Sequence, residues 1–545
     1  MFYSENSISS KYEIWKNELV ADVDSKFLLE GLKYGFRITD VNETDEIDVV
    51  NCANHPSVKT YQALVESELK DQIQSGNYIV TKETPVVVSP LGAILKEGKN
   101  EVRLIHDCSY PKGCAVNDYA LASSVQYENM ENAYQLAKEG SYMCKIDLKS
   151  AYRSVAINPA DYRFTGLQFQ FDNEDVVTKF FDVRLPFGSR KGPMIFHRLS
   201  QSVKRMMSRR GYDNLCVYLD DFLIVEDSYE KCVETQQVLL SLLIRLGFRI
   251  SWAKVTACKQ KVEFLGICID TVSCTASLSS EKVKKLYDKL YDFKCRKRAS
   301  RRQLQSLAGS LNWACQVVRG GRFFLRRILD VMSSLKQATH KCKINKAFYE
   351  DVEWWLNYLH KFNGSLYYKY DSNIVIHTDA CIEGGGMFCN GMWKYVNWKL
   401  DVPGTEELHI NYKEVLTAIL SIEHFAPLFP NSNVTIVTDS TAAKGILNKG
   451  RCRNSFVMDC LRRMFWTLEK FSVKVKAIHF PGVLNQIPDS ISRLHEKGQL
   501  LRLRSLLMQW HHGYMHSFLQ DCYSSMSSCA FQRLQSQLNK WSCRL

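Results

Sequence analysis

The chain has 545 residues, 46% hydrophobic and 24% charged, which is enough for several domains with ample core. Its 19 cysteines include no C-x-x-C pair, no apolar run approaches the ~20 residues of a membrane span, and the start MFYSENSISS lacks a secretory pattern. These features set aside a membrane protein, a zinc ribbon and a disulfide framework, and predict a soluble chain with reduced thiols in cytoplasm or nucleus.

In chain order, residues 1–80 read as a mixed lead-in. The first chemical signal is Lys145-Ile146-Asp147, a short apolar entry ending in a carboxylate and followed by Leu148-Lys149-Ser150-Ala151-Tyr152-Arg153. Leu185-Pro186-Phe187-Gly188 then reads as a broken loop running into a helix around Ile195 to Arg198, with Gly188 allowing the backbone close to a flat ligand. Next comes Tyr218-Leu219-Asp220-Asp221 between the apolar arms Leu215 to Val217 and Phe222 to Val225, the pattern of a tight hairpin tip. An isolated Asp pair would be an ordinary turn. With Asp147 on a neighbouring strand it becomes a set of converging carboxylates, which two-metal phosphoryl transfer requires. Hard divalent ions prefer such oxygen ligands.

The net charge of +13 matters for where it sits. Between Glu281 and Lys343 there are 17 Lys and Arg against 4 Asp and Glu, a surplus equal to that of the whole chain. Helix-compatible runs (Lys282 to Phe293, Ser300 to Cys315, Phe323 to Leu335) fill this segment, which suits sequence-independent contact with backbone phosphates better than a merely solvated face. A second acidic constellation follows: Asp379 closes the strand-like Ile374 to Thr378, a glycine run Gly384 to Gly386 follows, Glu414 lies in a helix-like stretch, Asp439 follows the strand-like Val434 to Val437, and Asp489 lies in Asn485 to Arg493. Singly these are turn, surface or cap residues; as an ordered set they point to catalysis. The tail is basic, and its His511, His512, His516, Cys522 and Cys529 match no standard zinc spacing.

The ordered motifs KIDLKSAYR, LPFG, YLDD, LGFRISWAK (Leu246 to Lys254) and VEFLGICID (Val262 to Asp270) resemble a reverse transcriptase palm. SPLG from Ser89, RLIHD from Arg103, SYPKG from Ser109 and VND from Val116 resemble its fingers, and with LQSLAGSLNWACQVV and GGRFFLRR the wording is most similar to DIRS-type retrotransposon polyproteins. The resemblance implies an α/β (α+β) right-hand polymerase: fingers and palm at 81–275, a basic helical thumb at 276–340, a connection at 341–371, an RNase H-like domain at 372–495 and a tail at 496–545. It assigns Asp147, Asp220 and Asp221 to metal, Lys96 and Arg103 to the incoming triphosphate, and Tyr152 to exclusion of a ribose 2′-OH. Phe187 and Gly188 would lie under the nascent base pair, and Lys254 would protonate the pyrophosphate leaving group. Asp379, Glu414, Asp439 and Asp489 correspond to the nuclease metal ligands, with Pro488 as a first helical residue replacing the usual Ala.

The implied cofactors are two Mg²⁺ per site, with Mn²⁺ as the alternative. The implied partners are an RNA template, a DNA primer, an RNA–DNA hybrid and dNTPs, with no membrane and no oligomeric state indicated. The competing reading is a domesticated or decayed element protein that binds nucleic acid without catalysis; intact carboxylates at all seven positions weigh against it. DIRS-type elements also encode a tyrosine recombinase. No segment for one is found, so the chain is expected to be a fragment or one product of its element.

Overall fold

The computed structural model describes residues 7–42, 45, 47–96, 98–172, 174–367 and 374–511. The chain divides into two compact units, one running to Ser279 and also taking in Leu366, the other beginning at Ser280. The tail histidines and cysteines beyond His511 lie outside the described residues.

The first unit opens with helices α1 (Tyr12–Glu18) and α2 (Ser25–Tyr34). These are no detached lead-in. Ile8, Trp15, Leu19, Leu28, Leu32 and Phe36 are buried in the same apolar cluster as the residues that follow, and the Trp15 indole donates to the Leu246 carbonyl at 3.0 Å. A hairpin of β1 (Leu91–Leu95) and β2 (Val102–His106) comes next. A separate five-stranded sheet brings in residues as early as Val50 and Asn51, and the adjoining core holds Val58, Val65 and Leu69.

The central sheet has three strands, β3 (Tyr142–Asp147), β4 (Leu215–Tyr218) and β5 (Asp221–Glu226), in the order β3-β5-β4. Phe222, Leu223, Ile224 and Val225 are all buried, as expected of a middle strand covered on both faces. Helix α3 (Gly192–Ser208) precedes β4, with a proline in its first turn where a missing N–H costs little. Helix α4 (Tyr229–Arg245) follows β5, and the Ser228 hydroxyl accepts from the Lys231 N–H at its start.

The second unit begins with α5 (Ser280–Cys295), α6 (Arg301–Ala314) and α7 (Arg326–Ser333), the basic segment. Helix α8 (Lys346–Phe362) follows. A mixed five-stranded sheet comes next, built from β6 (Ile374–Ala380), β7 (Gly384–Cys389), β8 (Met392–Asn397), β9 (Asn433–Thr438) and β10 (Lys474–His479), ordered β8-β7-β6-β9-β10. β8, β7 and β6 run antiparallel, whereas β6, β9 and β10 are parallel. Helices α9 (Ile410–Phe425), α10 (Thr441–Lys449) and α11 (Ser455–Phe471) supply apolar residues to its core. Phe465 of α11 also packs edge-on to Trp354 and Phe362 of α8.

Helix α12 (Gln486–Ser492) lies against β7 because that strand carries the glycine run. A Cβ at Gly386 would sit 2.2 Å from the Pro488 carbonyl, and one at Gly384 would sit 2.5 Å from that of Ser492. The helix begins two residues earlier than the sequence suggested, so Pro488 is its third residue rather than its first. It is still in the turn whose N–H groups lack intrahelical partners, which is why proline is accommodated. Among the described residues no helix is long and apolar enough to cross a membrane.

Candidate functional site

The first carboxylate cluster is fixed by strand register. Asp221 pairs directly with Asp147 across β5 and β3, and the β4–β5 hairpin closes through Leu219 and Asp220. Leu219 holds φ +51°, a left-handed conformation that costs a non-glycine residue about 1–3 kcal/mol. Such turns match the twist of the flanking strands, and this one presents Asp220 at the tip. Successive side chains alternate faces, so Lys145 and Asp147 share the face that Asp221 also occupies. The Lys145 ammonium lies 2.8 Å from Asp221 Oδ1, at ion-pair distance but outside hydrogen-bond alignment, and Lys254 Nζ lies 3.0 Å from both oxygens of Asp147.

Asp220 has neither lysine. Burial pushes its carboxyl above the ordinary range, Asp221 and Asp147 push it further, and Lys254 gives partial relief. Burial likewise raises Asp221, against the pull of Lys145. These oxygen donors, short of cationic partners, fit a hard divalent ion.

Beside the cluster is a cavity of about 420 Å³ lined by Lys96, Arg103, Phe187, Asp220 and Lys254 together with Arg153 and His106. Lys96 is paired with Glu101 at 2.7 Å, whereas Arg103 stands exposed on β2. In the wall of the cavity, Arg153 grips Asp182 with contacts of 2.7 and 3.0 Å, and the buried His106 reaches the same carboxylate at 3.3 Å. Burial works against a charged His106, but the neighbouring Cys108 and Asp182 outweigh it and lift the imidazole to about 10.

Tyr152 does not line this cavity. Its ring is 7% exposed and sandwiched between Phe187, at 4.9 Å between centroids, and Phe196, at 5.3 Å; the exposed member of the stack is Phe187. Gly188 has a reason within the chain to be glycine beside the one its loop suggested. A Cβ there would lie 2.4 Å from the His106 carbonyl, so the close approach is to β2 of the same chain. Asn117 locks the loop, donating to the Gly188 carbonyl at 2.9 Å and accepting from the Arg190 N–H at 2.6 Å. Gly188→Ala is therefore expected to lower stability by about 1–3 kcal/mol; thermal denaturation checks this, and an unchanged midpoint would contradict it.

The second cluster lies at the ends of β6 and β9. Asp379, Glu414 and Asp439 bring carboxylate oxygens within 4.8 Å of one another. Glu414 accepts the Ala380 N–H at 3.2 Å through one oxygen, while the other is buried without a partner. Burial, then the charges of Asp379 and Asp439, lift Glu414 to about 9. Burial lifts Asp379 to about 7, with Asp439 and Asp489 adding to it against a hydrogen bond from Ser492. An orphaned carboxylate oxygen among like charges is a set of donors suited to a cation.

Asp489 is differently placed: its oxygens meet Arg493 at 2.9 Å and Arg502 at 3.1 Å, and it is not among the three oxygens that converge. Ser492 Oγ sits 2.7 Å from Asp379 Oδ2 and 2.8 Å from the Asp489 carbonyl, so its single proton serves one of them at a time.

Lys145, Asn117 and Ser492 were not singled out by sequence. A period of two back from Asp147 and a helical i+3 step on from Asp489 would have flagged the first and the last.

A protein-family model, "Reverse transcriptase (RNA-dependent DNA polymerase)", matches residues 95–269. The enzymatic polyprotein of figwort mosaic virus is 23% identical over 411 residues, which is 70% of this chain and 54% of the viral protein. The retrovirus-related Pol polyprotein from transposon 297 of Drosophila melanogaster is 21% identical over 262 residues, 45% of this chain and 23% of that one. The chain thus spans about half or less of these relatives. Among solved structures, the foamy viral protease–reverse transcriptase in complex with double-stranded DNA aligns with a TM-score of 0.51 and 15% identity over 86% of this chain and 97% of that one. The same viral protein in complex with an RNA/DNA hybrid also gives 0.51, at 17% identity over 86% of this chain and 63% of that one.

Divalent metal use goes with this family. Residues 95–269, which contain the hairpin carboxylates and most of the residues lining the cavity beside them, are a reverse transcriptase domain of the kind found in retroelement and pararetrovirus polyproteins.

Proposed function

We propose that the chain is an RNA-directed DNA polymerase with a second, ribonuclease H centre, encoded by a DIRS-like retrotransposon. Its substrates are dNTPs, a DNA primer and an RNA template, and it hydrolyses the RNA strand of the resulting hybrid. The supporting observation is the pairing of Asp221 with Asp147 beside the Asp220 tip, opening on a cavity that also holds Arg103.

In this reading Asp147, Asp220 and Asp221 hold Mg²⁺, with Mn²⁺ as the substitute. Such ions supply Lewis-acid stabilisation of the attacking and leaving oxygens. Arg103 clamps triphosphate oxygens in bidentate fashion. Lys254, held beside Asp147, carries the proton that leaves with pyrophosphate. Phe187 supports the nascent pair, and Tyr152, stacked beneath it, sets the position of that ring and with it the room at the ribose 2′ position.

At the second centre, Asp379, Glu414 and Asp439 would hold the corresponding ions with Asp489 as the outlying fourth carboxylate, and Asp379 and Glu414 would have to give up their protons to do so. The compartment is cytoplasm or nucleus. Metal-dependent dNTP incorporation on poly(rA)/oligo(dT) tests the reading; a folded chain that binds the duplex but incorporates nothing with Mg²⁺ or Mn²⁺ supports the non-catalytic alternative. Tyr152→Val is expected to raise rNTP relative to dNTP incorporation by roughly tenfold or more. An unchanged ratio in matched single-nucleotide kinetics would remove Tyr152 from that role.

A further inference from the structure

Three cysteines far apart in the sequence meet on the side of the central sheet away from the carboxylates. Cys144 lies on β3, an odd number of residues from Asp147, so its side chain points to the opposite face. Cys232 sits in the first turns of α4, and Cys258 lies on the stretch after Lys254. That stretch runs beside β3: Thr256 N–H donates to the Lys145 carbonyl at 3.0 Å, and Met143 and Lys259 exchange backbone hydrogen bonds of 2.8 and 2.9 Å. The three Sγ atoms lie within 4.8 Å of one another, and the residues are 0%, 0% and 9% exposed.

A fourth donor lies beside Cys258. Gln236 is one helical turn beyond Cys232 on the same side of α4. Its Nε2 donates to the Thr256 carbonyl at 2.9 Å, which fixes the amide and leaves Oε1 3.8 Å from the Cys258 sulfur.

We propose that Cys144, Cys232 and Cys258, with Gln236 Oε1, form a structural site for a thiophilic d¹⁰ cation, Zn²⁺ above all. A tetrahedral ion with Zn–S bonds of ~2.3 Å requires sulfurs about 3.8 Å apart. Cys144 and Cys232 are 3.8 Å apart, and four donors complete a closed site. Thiolate donors select soft ions, so Mg²⁺ and Ca²⁺ do not compete. A disulfide is a poorer solution: it needs the sulfurs at ~2 Å and leaves the third thiol over.

Each ligating thiol gives up its proton, so binding strengthens as pH rises. The ion would staple β3, α4 and the stretch after Lys254 together, holding the arm that places Lys254 against Asp147. C-x-x-C spacing could not reveal such a site, because topology rather than a local turn assembles it.

The test uses the purified full chain, reduced and stripped by chelator, titrated with Co²⁺ as a spectroscopic probe and then with Zn²⁺. One equivalent of Co²⁺ is expected to give a near-ultraviolet thiolate charge-transfer band and intense tetrahedral visible bands, both displaced by one equivalent of Zn²⁺. Cys232→Ser and the less buried Cys258→Ser lose the charge-transfer band at that stoichiometry, with folding checked by circular dichroism. Cys216→Ser, a buried cysteine outside the trio, keeps it. Gln236→Ala shifts the visible bands while the charge-transfer band stays. Absence of the band in folded wild-type chain, or its survival in Cys258→Ser, would overturn the proposal.

Discussion

Asp220→Asn is expected to leave the chain folded and bound to primer–template while lowering dNTP incorporation by at least about a thousandfold, equivalent to about 4 kcal/mol of transition-state stabilisation. Three observations make it the cleanest substitution. Asp220 lies in the two-residue turn rather than on a strand, so the β3–β5 pairing survives. Neither lysine is bonded to it, so the change breaks no ion pair, whereas Asp147→Asn would take from Lys254 its carboxylate partner. Its carboxyl is also the one burial and two neighbouring carboxylates hold above the ordinary range, so an amide relieves repulsion and the fold does not suffer. Single-turnover extension beside a filter-binding isotherm checks it; incorporation within about tenfold of wild type would remove Asp220 from the ion-binding set.

Glu414→Gln carries two opposite effects. Cleavage of RNA in a hybrid should cease, because the amide cannot supply the charge a divalent ion needs. The metal-free protein should become more stable near pH 8. The sign follows from linkage. In the folded chain Glu414 titrates near 9 and Asp379 near 7, against ordinary values of 4.5 and 3.8. Between each pair of values the folded state holds the extra proton, so stability falls as pH rises through that window.

An amide removes the Glu414 share of this penalty, an effect of about 1–3 kcal/mol for a buried, unpaired group, or roughly 3 °C or more in melting temperature. Mg²⁺ should narrow the difference by stabilising wild type more than the variant. Scanning calorimetry with and without Mg²⁺ at pH 6 and pH 8 separates the outcomes. A variant less stable than wild type in chelator at pH 8 would mean that Glu414 is a structural hydrogen-bonding group.

Those features that rest on local pattern were legible in the sequence. The YLDD tip between two apolar arms is the β4–β5 hairpin, and the strand neighbourhood expected for Asp147 is the β3–β5 pairing. In the glycine run before Glu414, Gly384 and Gly386 are explained by α12 lying on β7, and Gly385 by Thr417 and Trp398 on the other face.

Features set by distant partners were not legible. Nothing local says that Lys145 faces Asp221, that Phe187 covers Tyr152, or that Arg502 reaches Asp489 from thirteen residues away. Gly188 looked like a ligand-facing position because the residue that crowds it, His106, is 82 residues earlier. The packing of Ile8 to Phe36 was not legible within the mixed lead-in because their apolar positions match distant partners, the Trp15 indole reaching Leu246 across 231 residues.

The two carboxylate clusters belong to separate units of the chain. The most direct test is a single assay on one RNA–DNA hybrid whose DNA 3′ end can be extended and whose RNA strand is labelled, run with wild type, Asp220→Asn and Asp439→Asn. Complementary losses are predicted: Asp220→Asn stops extension and still cuts RNA, while Asp439→Asn extends and leaves the RNA whole. Loss of both activities in either variant would contradict two independent ion-binding centres.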